Sequence, residues 1–106
     1  MALETEAEEV YTLIELAAAK LEEKELRSSI LPQELRMVKR VVLTIKRFLR
    51  HLEDEDDPSN RAEDLSGELD DGFTNIQKLY KRMSRNPTWT RTMGGLAEEM
   101  LNSFTF

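Results

Sequence analysis

The run of five acidic residues from Glu53 to Asp57 is the densest set of metal-binding side chains in this chain. A calcium loop of the EF-hand type needs oxygen ligands at alternating positions, glycine at its sixth position and glutamate at its twelfth. Counted from Asp54, the fifth position is Pro58 and the sixth is Ser59, so the spacing does not fit. We therefore predict that residues 53–58 form an exposed acidic connection and hold no metal ion.

His51, the single histidine, precedes this run. Histidine phosphotransfer domains are helical bundles of about this size, and they present an exposed histidine followed shortly by lysine and glycine. Here Leu52, Glu53 and Asp54 follow, and their carboxylates would repel a phosphoryl group. We predict that His51 lies near a helix C-terminus, where a cation is favourable, and keep phosphotransfer as a remote alternative.

Other catalytic signatures are missing from the sequence. There is no cysteine, which excludes thiolate zinc sites and cysteine nucleophiles. Gly94-Gly95 lacks the spacing and the following lysine of a phosphate-binding loop, and one histidine cannot supply the two Glu-x-x-His pairs of a di-metal bundle. We expect a protein that is not an enzyme, with no cofactor and no small-molecule substrate.

The C-terminal third is the best candidate for a binding surface. Residues 73–106 contain five of the seven aromatic residues and five basic residues, and tryptophan, tyrosine and arginine frequently anchor protein interfaces. The predicted contacts with another protein are Arg85, Trp89, Arg91, Met93, Phe104 and Phe106. The sequence leaves open whether Trp89, Phe104 and Phe106 belong to such an interface or to the core.

A second candidate surface is the basic face of the predicted second helix. Its six basic residues would contact nucleic acid through phosphates, and they are Arg36, Lys39, Arg40, Lys46, Arg47 and Arg50. A net charge of −6 and the lack of interleaved aromatic residues argue against this function. Nucleic-acid binding is therefore the alternative.

Four segments carry apolar residues at steps of three and four, the period of one helix face. They predict helices over roughly 4–27, 32–52, 59–84 and 88–103, with proline near the start of the last three. The clearest stripe is in the second segment and comprises Leu35, Val38, Val42, Ile45, Leu49 and Leu52. The expected fold is a single all-α domain, a four-helix up-down-up-down bundle. The runner-up is a three-helix hairpin that dimerises through its apolar faces and has a C-terminal tail.

The charge alternates along the chain: −5 over residues 1–31, +5 over 32–52, −9 over 53–72 and +3 over 73–106. Such alternation favours elements that fold back on one another. No apolar run approaches the roughly 18 residues of a membrane span, and we expect a cytoplasmic or other reducing compartment. The sequence thus predicts a small protein–protein interaction module (an adaptor, regulator or assembly subunit) that also self-associates through its apolar seams.

Overall fold

The computed structural model of the chain describes residues 3–27, 31–54 and 61–105. The described residues form five helices and no strand, which confirms the all-α class. The helices are α1 (Leu3–Arg27), α2 (Pro32–Glu53), α3 (Arg61–Met83), α4 (Pro87–Met93) and α5 (Gly95–Asn102). Part of the predicted acidic connection, residues 55–58, lies outside the described residues.

Helices α1 and α3 lie parallel along most of their length. Three side-chain hydrogen bonds join them, from Arg61 to Glu4, from Tyr11 to Glu68 and from Arg82 to Glu25, and each spans 57 positions of sequence. A constant offset at three levels means that the two helices keep one register over about six turns. Gly72 allows this close approach, because a Cβ atom at that position would lie 2.8 Å from Cγ2 of Ile14.

Helix α2 runs antiparallel to α1. Near its start, Glu34 accepts ion pairs from Lys24 at 3.0 Å and from Lys20 at 3.4 Å. Near its end, Nε2 of His51 lies 3.9 Å from the carboxylate of Glu6, close to the start of α1. The predicted stripe of α2 is fully buried between α1 and α3, because its apolar side chains follow the helical period.

The last part of the chain forms two short helices where the sequence predicted one over 88–103. The helix is interrupted at Gly94, whose φ of +56° and ψ of −131° suit only glycine. Asn86 caps the start of α4, since its side chain accepts hydrogen bonds from the backbone amides of Thr88 and Trp89 at 3.0 and 3.3 Å. The break therefore replaces a long fourth helix by a bent pair of short helices, of which α5 lies alongside α2 and α3.

Both short helices are docked on the longer ones. The Tyr80 ring contacts the rings of Trp89 and Phe104 at centroid distances of 5.6 and 5.7 Å. Its hydroxyl donates to the backbone carbonyl of Ala97 in α5, and burial raises the pKa of Tyr80 to about 12. On the other side, α5 contacts α2, where Lys39 pairs with Glu99 at 3.6 Å. One apolar core therefore extends over all five helices.

Candidate protein-interaction surface

Three of the residues predicted to bind a partner lie in the core. Trp89, Met93 and Phe104 are only 5%, 7% and 5% exposed. Because α4 and α5 are only seven and eight residues long, they depend on packing against α2 and α3 for stability, and their largest side chains supply it. Of the two readings that the sequence left open for Trp89 and Phe104, their burial favours the core, and the same holds for Met93. Their role is to hold the C-terminal pair of helices in place.

The remaining residues of that predicted surface fall into two groups. Arg85 and Arg91 are exposed, as contact residues must be. Phe106 lies outside the described residues. The two arginines are thus on the surface, whereas Trp89 and Phe104 are buried.

A surface depression lined mostly by apolar residues lies between α1 and α2, and we call it the α1/α2 groove. Leu16 and Met37 are 61% and 51% exposed there, and the cavity between them measures about 220 Å³. Lys20 is the one charged residue in its lining. The apolar lining residues are Leu13, Leu16, Ala17, Met37, Val38 and Val41. Neighbouring apolar side chains that stay exposed on two helices make this surface a candidate for binding.

Charged residues lie at both ends of this groove. Towards the start of α1, a second depression is lined by Glu6, Glu9, Arg47 and His51 among others. Towards the end of α1 lie Lys20, Lys24 and Glu34, and Glu23 is 4.0 Å from Lys24.

At the end with Lys20 and Lys24, both lysines pair with Glu34. Its carboxylate accepts a hydrogen bond from the backbone amide of Leu31 at 2.9 Å, in addition to its ion pairs with Lys24 and Lys20. The amide hydrogen bond first, and then the two ammonium groups, lower the pKa of Glu34 to about 2. Glu34 is therefore ionised at neutral pH, and its carboxylate positions both lysines.

The basic face of α2 divides into two parts. Lys39 pairs with Glu99 and the Lys46 ammonium group donates to the backbone carbonyl of Thr105, so both hold α5 and the chain that follows it. Arg36, Arg40, Arg47 and Arg50 are exposed and form no ion pair with another described residue. At 100° per residue these four fall within an arc of about 80° and extend over about 21 Å. We call them the arginine stripe.

His51 occupies the last turn of α2, as predicted. Its ring lies 6.1 Å from the ring of Phe48, and its Nε2 faces the carboxylate of Glu6 at 3.9 Å. Glu53 and Asp54 follow it on exposed positions. A phosphoryl group on this histidine would therefore meet carboxylates from both α1 and α2.

The described residues also bear on metal binding and membrane insertion. Within residues 3–27, 31–54 and 61–105, acidic and histidine side chains do not gather in groups of three or more that could hold a metal ion. None of the helices in those ranges combines the length and the apolar character needed to cross a membrane.

The groove was not predicted from the sequence, because most of its residues lie beside the periodic apolar stripes of α1 and α2. Leu13 and Leu16 fall between the positions of the α1 stripe, and Met37 precedes the buried Val38. The sequence did contain a signal for the groove, because α1 carries more large apolar residues than one buried stripe can hold. Counting apolar residues left outside each seam would have indicated this side of α1.

Comparison of the chain with protein-family models, with curated proteins and with solved structures gives no match.

Proposed function

We propose that this chain is a non-enzymatic protein–protein interaction module and that its contact surface is the α1/α2 groove. The observation that carries the proposal is the exposure of Leu16 and Met37 on two neighbouring helices, each beside a fully buried residue. An amphipathic helix of another chain would cover both side chains by placing its own apolar face in the groove.

The sequence predicted a bundle of four long helices, and this proposal keeps a fourth long helix in the assembly. In the sequence-based expectation the fourth helix came from residues 88–103, which form α4 and α5. We propose instead that the additional helix against α1 and α2 belongs to another chain. The functional class is unchanged from the sequence-based hypothesis, and the surface moves from the C-terminal segment to the groove.

The experiment is affinity capture with the full chain and its single variants. We expect Leu16→Glu to lose the captured partner, because a carboxylate in the middle of an apolar interface has to be desolvated. Leu101→Glu is the matched control, since Leu101 is also exposed, at 44%, but lies on α5. Capture that survives Leu16→Glu and is lost with Arg85→Glu or Arg91→Glu would place the interface on the C-terminal segment instead.

A nucleic-acid-associated regulator is the second candidate, supported by the arginine stripe. Four guanidinium groups along about 21 Å of helix match the spacing of several phosphates, which arginine binds through paired hydrogen bonds. This candidate predicts retardation of DNA or RNA that weakens steeply with salt and is lost in the double variant Arg40→Glu/Arg47→Glu. Absence of retardation at low salt would remove it.

A further inference from the structure

We infer that the occupant of the α1/α2 groove is a second copy of this chain, related by a two-fold axis that sets the two α1 helices antiparallel. The inference rests on the proposed function, since it names the partner for the same groove. It is carried by the way apolar and charged residues are distributed along α1.

The apolar contact defines the position of the axis. Leu13 and Leu16 are the two large α1 side chains that line the groove, on the same side of the helix. An axis midway between them places Leu13 of each copy against Leu16 of the other. Met37 and Val41 of α2 form the opposite wall of each groove. They would cover the contact between Leu13 of one copy and Leu16 of the other from the side.

The same axis matches the charges. Glu9 precedes Leu13 by four residues and Lys20 follows Leu16 by four residues, so the two-fold rotation brings Glu9 of each copy to Lys20 of the other. Glu9 is exposed and has no ion pair with another described residue. Lys20 is about one-third exposed, and its ammonium group, 3.4 Å from Glu34, can accept a second carboxylate partner from the solvent side. Two intermolecular ion pairs would therefore flank the apolar contact.

The other charged residues of the groove lie further from the axis. One end holds Glu6, Glu9, Arg47 and His51, and the other holds Lys20, Lys24, Glu34 and Glu23, which lies 4.0 Å from Lys24. A two-fold axis through the middle places each of these ends against the other. Of the remaining acidic residues of α1, five lie about 110° or more away from the groove and do not face one another across it; they are Glu4, Glu8, Glu15, Glu22 and Glu25.

The test uses sedimentation velocity with light scattering on the full chain, over micromolar to millimolar concentrations. We expect the wild type to dimerise. Glu9→Lys alone places two ammonium groups against each other at both flanking pairs, and Lys20→Glu alone places two carboxylates against each other there. Each variant should raise the dissociation constant about tenfold, the sum of several surface-pair effects.

Mixing the two variants provides the sharper test. In a mixed dimer, the introduced lysine of one copy meets the introduced glutamate of the other, and the native Lys20 of the first copy meets the native Glu9 of the second. Both ion pairs therefore return. We expect the mixture to dimerise as tightly as the wild type, which no folding defect of either variant can imitate. Glu15→Lys makes the same change of charge on the opposite side of α1 and should leave the dissociation constant unchanged.

The outcomes separate this inference from the proposed function. A wild type that stays monomeric at millimolar concentration overturns the second copy as occupant, and the capture experiment with Leu16→Glu then decides on the groove by itself. A dimer that Leu16→Glu disrupts but that the mixture fails to restore overturns the antiparallel register. A dimer insensitive to Leu16→Glu forms through another surface, which overturns the second copy as occupant and leaves the groove to the capture experiment.

Discussion

Leu16 of α1 and Met37 of α2 face solvent from the two walls of one groove, although each is followed in sequence by a residue that is 3% or less exposed. Ala17 and Val38 point into the core, and helical geometry turns their neighbours about 100° away from it. The result is an apolar surface continuous with the core. This relationship is the basis of the proposed interaction surface.

The first prediction separates the surface role of the groove from any role in folding. Met37→Glu and Leu16→Glu should change the free energy of unfolding by no more than about 0.5 kcal/mol in dilute solution, because both side chains are already half or more in water. Urea unfolding followed by circular dichroism measures this. A loss of several kcal/mol would mean that these residues belong to the folding core.

The second prediction compares two glycines of α3. Gly67→Ala should stabilise the protein by about 0.5–1 kcal/mol, because a Cβ atom there meets nothing within 4 Å and alanine favours helix. Gly72→Ala should destabilise it by about 1–3 kcal/mol, since the new Cβ overlaps Ile14. Thermal unfolding of both variants checks the opposite signs. Equal effects would contradict the close contact of α1 and α3.

The third prediction concerns the docked C-terminal helices. Trp89→Ala should cost about 3–5 kcal/mol of stability, because it removes a large buried ring that contacts Tyr80. Arg91→Ala, two residues further on, should change stability by about 0.5 kcal/mol or less. Chemical unfolding measures both. A stable Trp89→Ala variant would show that α4 and α5 are not required for the fold.

The fourth prediction is a pH dependence that originates at Glu34. Its pKa of about 2 in the folded state is below its ordinary value of 4.5, so the folded state binds fewer protons than the unfolded chain between these values. The stabilisation is complete above about pH 5 and is lost as the pH falls towards 2. The stability difference between wild type and Glu34→Gln should therefore be largest at neutral pH and shrink on acidification. A difference independent of pH would contradict the ion-pair cluster.

The three long helices and most of the core could be predicted from the sequence. Predicted bounds of 4–27, 32–52 and 59–84 differ from those of α1, α2 and α3 by no more than two residues, because apolar period and proline position are local properties. The cap formed by Asn86 followed the same local logic. Gly94-Gly95 was recognised as unfavourable for a helix, yet the positive φ that splits the segment depends on how α5 docks against α2 and Tyr80.

The candidate surface was harder to predict than the helices. Aromatic content pointed to Trp89 and Phe104, but a small protein with seven aromatic residues uses most of them in its core. The groove depends on the rotation of α1 relative to α2, which decides that Leu16 and Met37 share a surface. Such a rotation is fixed by packing across the whole bundle and has no local signature.

The most direct test of the account is a dilution series of methyl-labelled protein followed by NMR. We predict that lowering the concentration from millimolar to micromolar shifts the methyl signals of Leu13, Leu16, Met37 and Val41, while those of Leu43 and Leu101 stay constant. Leu43 and Leu101 are exposed leucines outside the groove and report on non-specific association. Concentration-dependent shifts at these two control leucines with none in the groove would contradict the account.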